Sequence, residues 1–578
     1  MDTQKRDQFV SKILDKMSIS EKVGQCFSFC WRGSIITPAI VDTIEKLHVG
    51  GLRIEPYTTE SSKALYYGKS GLDERFVPPS DYFTISQTYF KIKEPSIVID
   101  PDEYAERLNT LKDIAMNRPS GIPLHVCLDY EGGFNHNFDY GKMSFFPSQM
   151  GITAAQDPSL PYRVGYALGQ QLKAIGVTMV HSPVCDVNTN PDNPEINIRS
   201  FGPDPDICTK YALDMARGIQ DAGVVATAKH FPGRGEGSAD AHHALEVIRL
   251  SKERMHSVEL KPYKALIEMG VGAIMTAHSS FPAFDSEDTP ATLSYKILTE
   301  LLRNELGFKG VITTDAMGMG AIVKNWGIPR ACVMAVKAGA NLLLVKNDNE
   351  LKSQCFFELK RAVETGELSE EKLTESVRYV LNMKYDQGLF ENGGKVDPKQ
   401  APIIINSDEI KSVNREAAEK ALTLIRDREG LLPLRKEQKV MVIEQLVPAE
   451  FIPNTTNCHP HSFIEYMLKH SMNMIIADCE FSATEEDEKF LIEKSADADV
   501  VVVTNFYYRI LKDNNYNFVK KLIAAGRKVV VLTNTPYEVG APEEAGTVVC
   551  SYNPCGESLR VSADFLFGKA TAPGKLVK

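Results

Sequence analysis

Asp240 and His242 stand two residues apart, at the end of a stretch that begins Lys229-His230-Phe231-Pro232-Gly233-Arg234-Gly235. A carboxylate so close to an imidazole can orient and polarise the ring. The ring itself, with an ordinary pKa of about 6.5, can give and take protons at working pH. The stretch follows Val224–Ala228, an apolar run of β-branched and small residues that reads as a buried strand. A strand end needs none of these groups for stability, although Asp240 could cap the next helix and leave His242 solvated. Asp315 is the second group able to do chemistry. It ends another apolar run, and the Ala316-Met317-Gly318-Met319-Gly320 that follows leaves room for close approach of a substrate. Capping of a helix is again the simpler alternative.

A carboxylate nucleophile with a separate acid/base is what cleavage of a glycosidic bond requires, because its transition state is oxocarbenium-like and its leaving oxygen must be protonated. On that reading Asp315 is the nucleophile, His242 the acid/base and Asp240 its orienting partner. Asp129, Arg199, Lys229, His230 and His278 are hydrogen-bonding groups suited to sugar hydroxyls, and Arg234 and Met317 lie on segments that would touch the sugar. A polyol rewards such a pocket, since each unmatched hydroxyl or buried site group carries a penalty.

These residues need a scaffold that gathers strand ends. Eight apolar runs alternate with helical patterns: Val23–Cys30, Gly50–Ile54, Leu124–Asp129, Val177–Val187, Val224–Lys229, Ala273–His278, Gly310–Asp315 and Ala340–Val345. Between them lie amphipathic segments such as Asp102–Met116, Pro161–Ala174, Tyr211–Ala222, Lys252–Met269 and Tyr295–Leu306. The runs are apolar throughout, as strands covered on both faces should be. Eight strand–helix units are the arithmetic of a closed parallel (β/α)8 TIM-like barrel. Polar groups at the ends of at least five runs favour the barrel over an open sheet, because they would converge on one rim.

The expected division is a barrel domain over 1–390, a linker at 391–404 rich in turn formers, and an α/β sandwich over 405–578. In the last, strands are expected at Lys439–Ile443, Val500–Thr504, Lys528–Leu532 and Gly546–Cys550. The helices between them are read at Ser407–Leu422, Phe463–His470, Glu485–Ala496 and Tyr516–Ala525. The long connection 57–96, with several Tyr and Phe, is expected to shape the pocket entrance.

With 578 residues, 43% hydrophobic and 24% charged, the chain has the composition of a soluble globular protein of two or three domains. Its net charge of -11 argues against nucleic acid or an anionic membrane as partner, and no apolar run approaches the roughly 18 residues of a membrane span. The N-terminus is polar, so no secretory signal is expected, and eleven cysteines without repeated spacing suggest free thiols. The expected location is cytoplasmic, the expected partner a small carbohydrate, and a homodimer is compatible with both.

The segment Lys229–His242, the nucleophile segment Thr314–Ile322, Asn193–Gly202, Met275–His278 and Asp129–Gly133 together resemble glycoside hydrolase family 3, in particular its bacterial β-N-acetylglucosaminidases. Leu431–Leu434 and Ala563–Lys569 resemble the second domain of that family, so the likeness spans most of the chain. The resemblance implies a glycosyl-enzyme on Asp315, an Asp240–His242 dyad in place of the usual carboxylate acid, no metal or other cofactor, and N-acetylglucosamine as the sugar. Three features depart from the pattern: Arg234 where a histidine is usual, Asn135 and Asn137 after Asp129-Tyr130-Glu131-Gly132-Gly133, and the insertion 57–96. They bear on the exact hexoside rather than on the reaction. A phosphorolytic transferase is the nearest rival, because an imidazole acid does not repel phosphate and Arg234 could attract it. A non-catalytic carbohydrate-binding protein would need neither nucleophile nor acid. A metal-dependent amidohydrolase would need a His-x-His pair on the first strand, which reads Cys26-Phe27-Ser28-Phe29-Cys30-Trp31-Arg32.

Overall fold

The computed structural model describes residues 3–55, 99–133, 135–136, 143–238, 245–347, 349–446, 461–508 and 514–577. The segment 57–96, Asn137, Asp240 and His242 lie outside the described residues, as do the side chains of Asn135 and His136.

Among the described residues eight parallel strands form the first sheet: β1 (Phe27–Arg32), β2 (Gly51–Glu55), β3 (His125–Leu128), β4 (Met179–Val180), β5 (Val225–Phe231), β6 (Ala273–Thr276), β7 (Val311–Thr313) and β8 (Leu343–Val345). They follow one another around the sheet, and β8 pairs with β1 through Phe27↔Leu343 and Phe29↔Val345. A bridge between Thr313 and Leu342 joins β7 to β8 and closes the ring. Every residue in these strands is buried, as expected when helices cover the outside and side chains fill the inside.

Several boundaries differ from the sequence reading for identifiable reasons. Residues Ile19–Gln25 are helical, not the start of a strand, because Ser18 and Glu21 form a capping box: Glu21 N–H donates to Ser18 Oγ and Ser18 N–H to Glu21 Oε2. β4 covers only two residues of the expected Val177–Val187 run. Pro183 brings no N–H to the ladder, and beyond it only Val184 bridges to β5, at Lys229. The expected helix Lys252–Met269 is two helices, Lys252–Ser257 and Lys261–Met269, since Pro262 fits the first turn of a helix but not its interior.

The second sheet contains β9 (Thr423–Asp427), β10 (Val440–Gln445), β11 (Met474–Cys479), β12 (Val500–Thr504), β13 (Val529–Thr533) and β14 (Thr547–Cys550), in the order β9-β14-β13-β12-β10-β11. Only the β9–β14 pair is antiparallel. β12 reads Val-Val-Val-Val-Thr and is fully buried; five β-branched residues in a row favour strand over helix and pack well between helical layers. The turn-rich stretch between the units is ordered. Val396 C=O accepts from Asn109 Nδ2 at 2.8 Å, and Gly394 C=O from Lys112 Nζ at 2.6 Å, fastening it to the helix Pro101–Met116.

Nine of the eleven cysteines are free and buried, but Cys555 is in a disulfide, which corrects the expectation of free thiols throughout. Among the described residues no helix is long and apolar enough to cross a membrane.

Candidate active site

The C-terminal ends of the barrel strands carry a continuous polar network. Asp129, just after β3, accepts from Lys229 Nζ at 2.8 Å and from Arg53 Nη2 at 2.6 Å. Lys229 also pairs with Glu131, which receives a two-pronged contact from Arg199, Nε at 2.8 Å and Nη2 at 3.0 Å. Such forked pairing fixes both partners. Arg199 Nη2 continues to His230 Nε2 at 3.3 Å, and His230 Nδ1 donates to Asp186 at 2.7 Å. The other Asp186 oxygen accepts from the Arg234 backbone N–H at 2.7 Å, and the Arg234 guanidinium pairs with Glu195. The chain of contacts therefore runs from β2 through β3 and β5 into the glycine-rich loop.

That loop folds closely against its neighbours because of its glycines. A Cβ on Gly235 would stand 1.8 Å from the carbonyl oxygen of Val187, so only glycine admits this approach.

Burial opposes charge on Asp129, but Lys229 and Arg53 outweigh it and hold the carboxyl well below its usual range. Glu131 is treated likewise by Arg199 and Lys229. Both are ready-made acceptors at neutral pH. His181 Nδ1 is 3.6 Å from Asp129, beyond hydrogen-bond distance.

Asp315 follows β7 and is partly exposed, whereas the residues around it are buried. Its Oδ1 accepts from the Ala316 N–H at 2.6 Å. Burial again works against ionisation, but His230, His278, the Ala316 N–H and Lys346 outweigh it, so Asp315 is held well below the usual carboxylate range. An ionised carboxylate at the mouth of a barrel is what a nucleophile needs. His278 does not point freely at the pocket. Its Nδ1 meets Thr292 Oγ1 at 2.8 Å and its Nε2 donates to the Ala316 carbonyl at 3.0 Å. The ring braces the segment carrying Asp315, so the expectation of a direct contact with a sugar hydroxyl changes to one of positioning. His230 likewise spends both nitrogens inside the protein. Met317, expected at the sugar, is fully buried and packs in the barrel's hydrophobic core. Arg234 is buried, with Nε and Nη1 lacking a hydrogen-bond partner among the described residues.

The structure thus brings together Asp129, Arg199, Lys229, His230, Arg234, His278 and Asp315. Sequence reading missed several of their neighbours. Arg53 and Glu55 pair with each other on β2, and Arg32 Nε lies 3.0 Å from Glu55 at the end of β1. Arg53 and Glu55 are two residues apart on a strand and share its inward face, which was the available signal. Glu195 and Lys346 were also passed over.

The second domain reaches the loops of this rim. Asn197–Arg199 forms a three-residue turn, and Asn197 Oδ1 accepts from Thr535 Oγ1 at 2.8 Å. Asn188 Nδ2 donates to the Tyr537 hydroxyl at 2.9 Å, and Tyr507 donates to the carbonyl of Pro194. The turn that carries Arg199 is therefore held from both domains.

Residues 95–383, half of the chain, match the family described as "Glycosyl hydrolase family 3 N terminal domain". Beta-hexosaminidase A of Pseudoalteromonas piscicida is 32% identical over 357 residues, covering 58% of this chain and 58% of its own length. The chain therefore spans less than two thirds of that relative. A beta-hexosaminidase of Nitrosomonas eutropha is 33% identical over 255 residues, 43% of this chain and 72% of its own. Among solved structures, a glycoside hydrolase family 3 beta-N-acetylglucosaminidase from Paenibacillus sp. str. FPU-7 matches with a TM-score of 0.81 and 29% identity. It covers 97% of this chain and 98% of its own.

Proposed function

The chain belongs to glycosyl hydrolase family 3, and from that premise we propose that it is a retaining β-glycoside hydrolase that releases terminal β-linked N-acetylglucosamine. The observation that carries the reading is Asp315: an ionised, partly exposed carboxylate at the C-terminal rim of a closed barrel, beside a network rich in hydrogen-bonding groups. In the proposed reaction an Asp315 oxygen attacks the anomeric carbon as the bond to the leaving oxygen breaks. His242, oriented by Asp240, gives its proton to that oxygen. The same imidazole then takes a proton from water as the water displaces Asp315, and the sugar leaves with its original anomeric configuration. Asp129, Lys229 and Arg199 bind sugar hydroxyls, and His230 and His278 hold the surrounding groups in register.

The choice of N-acetylglucosamine rests on the names of the relatives and on the Asp-x-His loop. The test is a panel of 4-nitrophenyl β-glycosides differing at C2 and C5, assayed with and without inorganic phosphate. Turnover confined to the 2-acetamido compound, with free sugar as product in both conditions, is the expected result. Loss of turnover on every member overturns the proposal. The two Arg234 donors that lack a partner among the described residues favour a second reading, phosphorolysis, in which sugar 1-phosphate would form only when phosphate is present.

A further inference from the structure

β8 ends at Val345, and the next residue, Lys346, leaves the ring on the same rim as Asp315. Its backbone is fixed from both sides. Arg32 Nη2 donates to the Lys346 carbonyl at 3.0 Å, and the Met317 N–H donates to Leu344 at 2.9 Å, tying the Asp315 segment to the start of β8. The other described cations of this rim are engaged: Lys229 with Asp129 and Glu131, Arg53 with Asp129 and Glu55, Arg199 with Glu131, Arg234 with Glu195. The Lys346 ammonium makes no hydrogen bond or ion pair with any described residue, although it is only partly exposed. It does feel the surrounding charges. Burial lowers its pKa and Arg53 adds to that, while Asp129, Glu55 and Asp315 pull the other way.

We propose that Lys346 is a substrate-binding residue of the donor site, whose ammonium donates a hydrogen bond to a ring hydroxyl lying between Asp315 and Asp129. This rests on the reading of the rim as a glycosidase donor site. A hydroxyl suits the position better than an anionic substituent. Three carboxylates act on the same space, and a hydroxyl can accept from Lys346 while donating to Asp129. An anion there would be repelled by Asp129, Glu55 and Asp315 together. With no partner among the described residues, the amine gains one when sugar is bound, so its contribution should appear in binding and turnover rather than in stability.

The experiment compares Lys346→Met with the native enzyme on the preferred 4-nitrophenyl β-glycoside and on its 3-, 4- and 6-deoxy analogues. Loss of one charge-assisted hydrogen bond should lower kcat/KM about 30-fold on the parent substrate. On the single analogue lacking the bonded hydroxyl, the further loss should be no more than about 3-fold, the non-additivity of a shared contact. The thermal midpoint should stay within about 2 °C of native, as for a side chain without partners among the described residues. Equal losses on the parent and all analogues, or activity within threefold of native on the parent, overturn the proposal. Should Lys346→Met fail to fold, Lys346→Gln carries the same comparison. If the native enzyme cleaves no aryl β-glycoside, the glycosidase reading itself falls, an outcome distinct from an active native enzyme that tolerates the substitution.

Discussion

Buried cations serve both ends of the barrel, but with different partners. Near the N-terminal ends of the strands, Lys384 Nζ donates to Gln25 Oε1 and to the carbonyls of Gly50 and Pro123, each at 2.7 Å. Lys112 bonds the carbonyls of Gly176 and Gly394. Arg118 bonds those of Ile44, Val49 and Ile122. Among the described residues these three make no hydrogen bond or ion pair with a carboxylate, so burial dominates: Lys112 is drawn down to about 7 and Lys384 well below its usual value. At the opposite end Lys229, Arg53 and Arg199 sit on Asp129, Glu55 and Glu131. Carbonyl dipoles tie strand ends, loops and helices together without needing a charge. Carboxylates preserve ionised groups, and an ionised rim can answer a polar ligand. Residue type alone therefore does not separate scaffold from site; the acceptor does.

Removing Asp315 should sharpen that contrast most. Asp315→Ala should lower kcat by about 10⁴-fold or more, with little change in thermal midpoint. Azide should restore some turnover and give a product of inverted anomeric configuration. Full activity would remove the proposed nucleophile. His242→Ala comes next, with a loss of about 10³-fold on alkyl glycosides against about 30-fold or less on activated aryl ones, because only the former need a proton on departure. Equal losses would mean that His242 only binds.

Lys384→Met should do the reverse at the other end. Removing the donor shared by three buried acceptors, of which the Gly50 carbonyl keeps the His125 N–H, should destabilise by about 3 kcal/mol in denaturant titration, while kcat stays within twofold. A large loss of kcat would break the comparison. Lys112 gives a pH signature. Its folded pKa of about 7 lies below its unfolded value of about 10.4, so the unfolded chain holds the extra proton between those values. Native stability, relative to Lys112→Met, should therefore rise by about 3–4 kcal/mol as pH climbs from 7 to 10. A flat difference would show that Lys112 keeps its proton. The smallest effect is expected from Thr292→Val, which frees His278 Nδ1 and should cost about 5-fold in kcat by loosening the Ala316 carbonyl contact.

The barrel was legible because most strands are largely apolar and several run into a polar group at their C-terminal end. β9 and β11 were not, because both lie at sheet edges. β9 is only partly covered and has just Leu424-Ile425 together, and the apolar part of β11, Met474–Ala477, is four residues long between polar neighbours, with its side chains half-buried or exposed. At the site, Asp129, Lys229, Arg199 and Asp315 could be placed from their positions after apolar runs. Arg53, inside the expected strand Gly50–Ile54, and Glu55, one residue past it, were passed over although their spacing of two on a strand put both on one face. Lys346 stands one residue beyond the last apolar run, where the eye stops. His230 and His278 were correct as residues of the rim, but nothing local reveals that Asp186, Thr292 and a carbonyl occupy their nitrogens.

β1 and β8 are neighbours in the ring yet more than 300 residues apart along the chain. Contacts of such sequence separation form late, because much loop entropy must be lost first. The Asp315 segment leans on β8 through Met317 and Leu344. A nascent chain can thus assemble most of its strands while its nucleophile is still unplaced, and catalytic competence should arrive only when the final strand docks against the first.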